Sequence, residues 1–312
     1  LKGRMKKTIL RYISFLALIS SPFFSTQTFA AECATGTTPS SGCRVEVSGA
    51  TYNMTGDIST SSYLGYGILF NDTNSNIVSL TGDISTTGDT STAIYLNETN
   101  SSSLLMTGDI SISGADSIGI FLRSEMVHYD DPPSSSSASN NTITVNGDIS
   151  LFDLNADNNI YRTIRENILL QGTNTSNNTI TVNGDLTRNR TGTAYRNVAI
   201  YNGSNNTINI NGNVTPVEDT ISIQIGGNGN YGTAQNNTIN VDGSVQGSIR
   251  FDTPNNSTIN VTGSISDGGY KDQTIYVTGN NNTFDVGGNI TSDGDYMVGV
   301  NISGDSHTIN VD

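Results

Sequence analysis

Five aspartates each follow a glycine at matching places along the 312-residue chain: Asp57, Asp83, Asp109, Asp148 and Asp185. Stacked in one column, they would offer the clustered oxygen ligands that Ca²⁺ prefers. Asn213, Ser244, Ser264 and Asn289 take the same position in later copies, and they share hydrogen-bonding ability with Asp but not charge. A corner-capping role, in which the side chain bonds nearby backbone amides, fits every copy. Calcium fits only the first five. The glycine-rich aspartate nonapeptide of calcium-binding β-rolls is absent. No metal ligand and no cofactor is assigned.

Other reactive groups do not converge in the sequence. His128 stands near Asp130 and Asp131, a grouping that could bind a metal or move a proton. It lies on a Pro/Ser-rich stretch and reads as solvated. The unit after it carries Phe152-Asp153-Leu154 and Tyr161-Arg162-Thr163-Ile164-Arg165-Glu166. These two units are long, and loops extruded from a regular scaffold are where function concentrates. A polysaccharide lyase needs a cationic base or clamp among carboxylates, but Lys271 stands alone and the arginines are scattered along the sequence. A glycoside hydrolase needs paired carboxylates on a cleft. The corner aspartates are a repeat or more apart, without flanking aromatics, and Trp is absent. His128 and His307 have no Gly-x-Ser-x-Gly-type partner. No catalytic residue is assigned. The chain reads as non-enzymatic, with a carbohydrate-active lyase or hydrolase as the alternative.

Two cysteines, Cys33 and Cys43, stand close together after an N-terminal processing segment. In an exported chain such a pair reads as a small disulfide loop pinning an N-terminal cap over residues 31–50. The processing segment is residues 1–30, with Met5 as the start. It combines Lys6 and Lys7, a short interrupted apolar run over residues 9–24, and the small-residue exit Thr28-Phe29-Ala30-Ala31. That is the plan of a secretory signal peptide. The run is too short and broken for a membrane span. Export through the inner membrane is expected.

Charge narrows the partners. The chain carries 14 basic and 28 acidic residues, net −14. Five of the basic side chains (Lys2, Arg4, Lys6, Lys7, Arg11) fall within the processing segment, so the rest of the chain keeps few cations and every acid. A nucleic-acid binder that tracks phosphates needs a basic face, so nucleic acid is not expected as a partner. Docking on anionic lipid through a basic patch is excluded likewise. Charged residues make up 13% and hydrophobic residues 34%, both low for a globular domain. Gly, Ser, Thr and Asn fill the rest, a composition unsuited to helical or α/β folds.

The positioning elements come from a repeat. One unit recurs: apolar, polar, apolar, polar, Gly, Asp/Asn/Ser, apolar, Ser/Thr. Ile143-Thr144-Val145-Asn146-Gly147-Asp148-Ile149-Ser150 is a complete copy. The glycines are Gly56, Gly82, Gly108, Gly147, Gly184, Gly212, Gly243, Gly263 and Gly288. Their spacing is uneven, widest between Gly108 and Gly147 and narrowest between Gly243 and Gly263. Each unit holds a second apolar run, such as Ala93-Ile94-Tyr95-Leu96 or Ile221-Ser222-Ile223-Gln224-Ile225, and an Asn-rich turn such as Asn177-Asn178. Period-two alternation of β-branched residues predicts strands. Gly and Asn accept left-handed backbone and mark the corners. Repetition on this scale predicts a solenoid over residues 51–312 in about ten units, the last cut short at Ile309-Asn310-Val311-Asp312. Ile and Val should fill the lumen, Thr, Ser and Asn should face water, and stacked Asn should bond along the axis.

These units, Gly-Asp-Ile-Ser, Asn-Asn-Thr-Ile-Thr-Val and Ala-Ile-Tyr-Leu, together with the signal peptide, resemble the passenger region of bacterial autotransporters of the type V secretion class. The resemblance covers residues 31–312 and is one of architecture and composition. It implies an all-β, right-handed parallel β-helix, a single rod carried to the cell surface by a C-terminal outer-membrane β-barrel. No barrel strands follow the repeats in this sequence, which reads as a passenger truncated before its barrel. The implied role is an adhesin or structural stalk at the cell surface or outside the cell, with a host-cell or surface ligand. A secreted spike or surface-layer solenoid without a barrel is the remaining alternative.

Overall fold

The computed structural model describes residues 31–37, 41–124, 136–152, 166–189, 196–216, 221–227, 234–267, 273–292 and 298–312. The expected signal peptide over residues 1–30, the His128, Asp130 and Asp131 group, residues 153–165 and Lys271 lie outside them. Every regular element among the described residues is a β-strand, and every strand pairing is parallel. The chain is a right-handed parallel β-helix.

Three long sheets run along it, and a fourth pairs only Ala138–Ser139 with Thr175–Ser176. Sheet 1 has eleven strands, from Ala31–Glu32 and Cys43–Val45 through Val298–Ile302. Sheet 2 also has eleven, from Gly36–Thr37 and Thr51–Thr55 through Thr308–Val311. Sheet 3 has nine short strands, from Ile58–Thr60 through Ile290–Ser292. Each turn runs sheet 1, Asn-rich corner, sheet 2, Gly-Asp corner, sheet 3, and a third corner of variable length. Eleven strands at about 4.8 Å per step give a stack about 48 Å long.

The helix starts earlier than residue 51, from which the repeats predict the solenoid. Residues 31–50 contribute strands to sheets 1 and 2 and pair in register with the turn that follows. Cys33 and Cys43 are joined by a disulfide, with Cα atoms 4.8 Å apart. Cys43 continues a lumen column into this first turn, directly below Ile68.

Alternation within each strand sorts the side chains. On sheet 2 one lumen column runs Ile143, Ile180, Ile208, Ile239, Ile259, and its neighbour runs Val145, Val182, Ile210, Val241, Val261. All are buried. Each such side chain removed from water contributes about 1.5–3 kcal/mol. The outward column beginning at Thr142 is Thr for seven strands, through Thr308.

The corner glycines are required by contact between turns more than by backbone dihedral. Gly56, Gly82 and Gly108 have φ of +112°, +149° and +144°, in the region glycine favours. Gly147, Gly184, Gly212, Gly243 and Gly263 are not left-handed, which corrects the expectation that dihedral freedom selects them. A Cβ on any of these five would lie 2.2–2.6 Å from the carbonyl oxygen of the glycine one turn earlier. Gly184→Ala should therefore destabilise the chain by more than about 1 kcal/mol despite its ordinary φ. Denaturant unfolding checks this: a midpoint equal to the native one would mean that the turns are not in contact at this corner.

The Asn corner is a buried ladder. The first Asn of each pair takes left-handed geometry, as at Asn140, Asn177, Asn205, Asn236 and Asn281, with φ of 54–57°. The second points inward. The backbone N–H of Asn141 donates to Asn178 Oδ1 (3.0 Å), that of Asn178 to Asn206 Oδ1 (3.1 Å), and that of Asn206 to Asn237 Oδ1 (3.0 Å). Ser102, Ser257 and His307 take the same place in other turns. A buried amide left without a partner is costly, so each turn depends on the side chain of the next.

Candidate functional site

The corner aspartates form a second ladder with the opposite sense. The N–H of Asp83 donates to Asp57 Oδ1 at 3.0 Å, Asp109 to Asp83 at 2.8 Å, Asp148 to Asp109 at 2.9 Å and Asp185 to Asp148 at 2.8 Å. It continues through Asn213, Ser244, Ser264 and Asn289. The capped amide belongs to the next turn and not to the local corner. One acceptor per side chain is all the ladder needs, which explains why Asp, Asn and Ser interchange. Among the described residues no three His, Cys, Asp or Glu side chains gather as a metal site.

A different face breaks the polar skin. On the outer side of sheet 1, one column runs Leu69, Tyr95, Phe121, Leu169, Ala199, Gln224, Arg250, Tyr276. Beside it runs Asn71, Asn97, Arg123, Gln171, Tyr201. Strand alternation places these residues opposite the lumen side chains Ile120, Leu122, Ile168, Leu170, Val198 and Ile200. Phe121 (8% exposed), Leu169 (1%) and Ala199 (0%) nevertheless form, with Ile118, a second apolar cluster separate from the lumen. Tyr95 and Tyr201 pack against its edges.

Aromatic rings line the early part of this face. Tyr66, Tyr95 and Phe121 stack along the helix axis, with centroids 5.5 and 4.9 Å apart and planes tilted by 26° and 7°. Such offset stacks add about 0.5–1.5 kcal/mol beyond area burial. Tyr95 Oη donates to Asn97 Oδ1 at 3.0 Å, and Asn97 Nδ2 donates to Asn71 Oδ1 at 2.9 Å. Burial pushes the phenols of Tyr66 and Tyr95 up, opposed by the Arg123 guanidinium beside them.

The later part is an arginine–tyrosine network. Arg196 lies 5.9 Å from the centroid of Tyr201, and Arg250 lies 4.8 Å from that of Tyr276, both in cation–π range. Arg196 Nε donates to Gln224 Oε1, whose amide nitrogen donates to Asp252 Oδ2. Arg250 Nη2 reaches Asp252 Oδ1 at 3.3 Å. The Tyr201 phenol is pushed far up, first by burial and then by the charge of Glu166. It therefore stays protonated at neutral pH.

Comparison of the chain with known protein families, with curated proteins and with solved structures finds no match. The fold and this face must be read from the residues themselves.

Arginines that are scattered along the sequence come together here. Folding places Arg44, Arg123, Arg196 and Arg250 on or beside the outer face of sheet 1, and among the described arginines only Arg188 enters another sheet. The signal was the middle residue of the second apolar run, which is aromatic in Ala93-Ile94-Tyr95-Leu96, in Ile120-Phe121-Leu122 and in Ile275-Tyr276-Val277. Once those runs are aligned as strands, the outward column can be read directly. Chemically the face offers rings, guanidinium groups and amides.

Proposed function

We propose that this chain is an exported, surface-displayed β-helical passenger that acts by contact, as an adhesin or structural stalk, without catalysis. The outer face of sheet 1 carries the reading. Tyr and Arg are enriched where proteins make contacts, and here the half-buried Tyr66, Tyr95, Arg123, Arg250 and Tyr276 stand on one outer face among Asn and Gln side chains. The signal-type N-terminus supports export. A solenoid of about 48 Å supports presentation at a distance, since extended repeat faces suit contact surfaces. In this reading the full-length parent carries the outer-membrane β-barrel that brings the passenger to the surface. The large excess of acid would keep unfolded passengers soluble during export.

The test is surface labelling and binding to cells or coated surfaces by a strain expressing the complete reading frame, with and without residues 31–312. Deletion should abolish binding. Unchanged binding on deletion, together with polysaccharide turnover by the purified chain, would replace the adhesin reading with an enzyme.

A further inference from the structure

We propose that the corner between sheets 1 and 2 is a row of N-glycosylation sites, whose exposed Asn side chains accept sugars from a donor activated at C1 by a diphosphate. This does not depend on what the rod contacts. Asn140, Asn177, Asn205, Asn236, Asn256 and Asn281 stack at this corner turn upon turn, each with left-handed φ of 52–57°. All are exposed. Among the described residues the side chains of the last five take no hydrogen bond, and Asn140 Nδ2 makes only a long one of 3.4 Å to Ser139 Oγ. Each begins an Asn-x-Thr triplet whose Thr stands in the outward column that starts at Thr142. Asn-x-Ser/Thr is the acceptor sequence for N-linked sugars and requires a surface position in an exported chain.

The fold accounts for each residue of the triplet but not for their pairing. Left-handed backbone favours Asn, yet Ser75, Ser101 and Ser306 hold the same corner with φ of 55–60°. The outward position takes Ile77 and Ser103 in early turns, in register with Thr142. Backbone demands therefore fix neither residue. Asn at the corner nevertheless comes with Thr two residues on in every case, whereas Ser is followed by Ile77, Ser103 or Thr308. Recognition of Asn-x-Thr as a unit supplies the link. The ladder is the complement: Asn141, Asn178, Asn206, Asn237 and Asn282 are buried, and none begins such a triplet. Elsewhere the amide is engaged, as in Asn97-Glu98-Thr99, where Asn97 Nδ2 donates to Asn71 Oδ1 at 2.9 Å. In the transfer Asn Nδ2 bonds to the sugar C1, the bond from C1 to the diphosphate oxygen breaks, the diphosphate leaves with the electron pair, and one Nδ2 proton passes to solvent. In the folded chain the triplet backbone is held, with the N–H of Asn177 donating to the Ser204 carbonyl and that of Thr179 to the Asn141 carbonyl. The transferase therefore acts before the turn folds, and the exposed corner lets folding proceed with the sugar in place.

Mass spectrometry of the chain isolated from the cells that make it decides. The intact mass should exceed that of the sequence by whole sugar residues, placed by peptide mapping on the exposed corner Asn side chains and on no ladder Asn. Thr179→Val should remove the sugar from Asn177 alone, and Thr179→Ser should keep it, with the other corners as internal controls. Ile77, 55% exposed in the same outward column, shows that an apolar side chain is accepted there, so the Val variant keeps the fold. A mass equal to that of the sequence overturns the proposal. So does sugar on Ser or Thr with the corner Asn intact, or sugar retained on Asn177 in Thr179→Val. Incubating the unfolded chain with a soluble extract and nucleotide sugars, and separately with the membrane fraction, distinguishes a nucleotide-linked from a lipid-linked donor. Transfer in either supports the proposal, and transfer in neither overturns it. Loss of cell binding on deletion of residues 31–312 from a chain that carries no sugar leaves the contact reading standing and removes only this one.

Discussion

Val182→Asp should destabilise the chain by about 4 kcal/mol or more, and Thr181→Ala by less than about 0.5 kcal/mol. The two residues are neighbours on the strand Thr179–Val182. Val182 is 0% exposed and sits between Val145 and Ile210 in a lumen column. A carboxylate there would meet only aliphatic carbon, with no donor within reach of its own turn. Burial of an unpaired charge adds to the lost transfer energy of the valine. Thr181 faces outward, and its hydroxyl accepts only a long bond of 3.4 Å from Asn209 Nδ2. Because each turn contacts only its neighbours, the damage should centre on the turns of Val145 and Ile210. Denaturant unfolding gives the magnitude and hydrogen exchange gives the location. Equal effects at the two positions would mean that the register is shifted by one residue, since a one-residue slip exchanges the faces.

That contrast was legible in the sequence because it depends only on alternation. Ile143-Thr144-Val145 and Ile180-Thr181-Val182 declare their faces without reference to any other turn. The Gly-Asp corner was legible as a corner for the same reason. The reason for its glycine was not, because the obstructing atom is a carbonyl oxygen from the preceding turn, as Gly147 is to Gly184. The outer face of sheet 1 was hidden more deeply. Arg123 and Arg250 are far apart in the chain, but four strands apart in the sheet. Converting one separation into the other requires counting turns of unequal length, as the glycine positions show. The variation is taken up at the corner between sheets 1 and 2, as between Arg123 and Thr142, and at the corner between sheets 3 and 1, as between Phe152 and Ile168, so the strands stay aligned while the sequence spacing wanders. Periodicity reveals the columns, and only the register reveals what they bring together.

The two hydrogen-bond ladders look alike in sequence, one a column of Asn with Ser and His and the other of Asp, Asn and Ser, yet they should respond very differently to substitution. Asp185→Asn should cost less than about 0.5 kcal/mol. The side chain needs only one acceptor for the N–H of Asn213, at 2.7 Å on the exposed corner, which an Asn supplies as well. Asn206→Leu should cost about 3 kcal/mol. Asn206 is buried, and its Oδ1 accepts from the backbone N–H of Asn178 at 3.1 Å and from Asn178 Nδ2 at 3.0 Å. Its own Nδ2 donates to the Thr175 carbonyl at 3.0 Å and to Asn237 Oδ1 at 3.1 Å. Leucine strands these partners in the interior, where each orphan costs about 1–3 kcal/mol. Asn206→Asp separates the acceptor from the donor role. The carboxylate still accepts from Asn178, but it faces the Thr175 carbonyl and Asn237 Oδ1 with no proton to give. Burial and these two acceptors raise its folded-state pKa above the unfolded value of about 3.9. A group shifted upward stabilises the fold fully below its unfolded pKa and loses that contribution as pH rises through the folded pKa. The Asn206→Asp variant should therefore approach native stability near a pH of about 3.5 and lose ground steadily towards neutrality, measured against the native chain at each pH. A penalty independent of pH would mean that the ladder needs only the acceptor, and that the buried amide column is no more demanding than the exposed one.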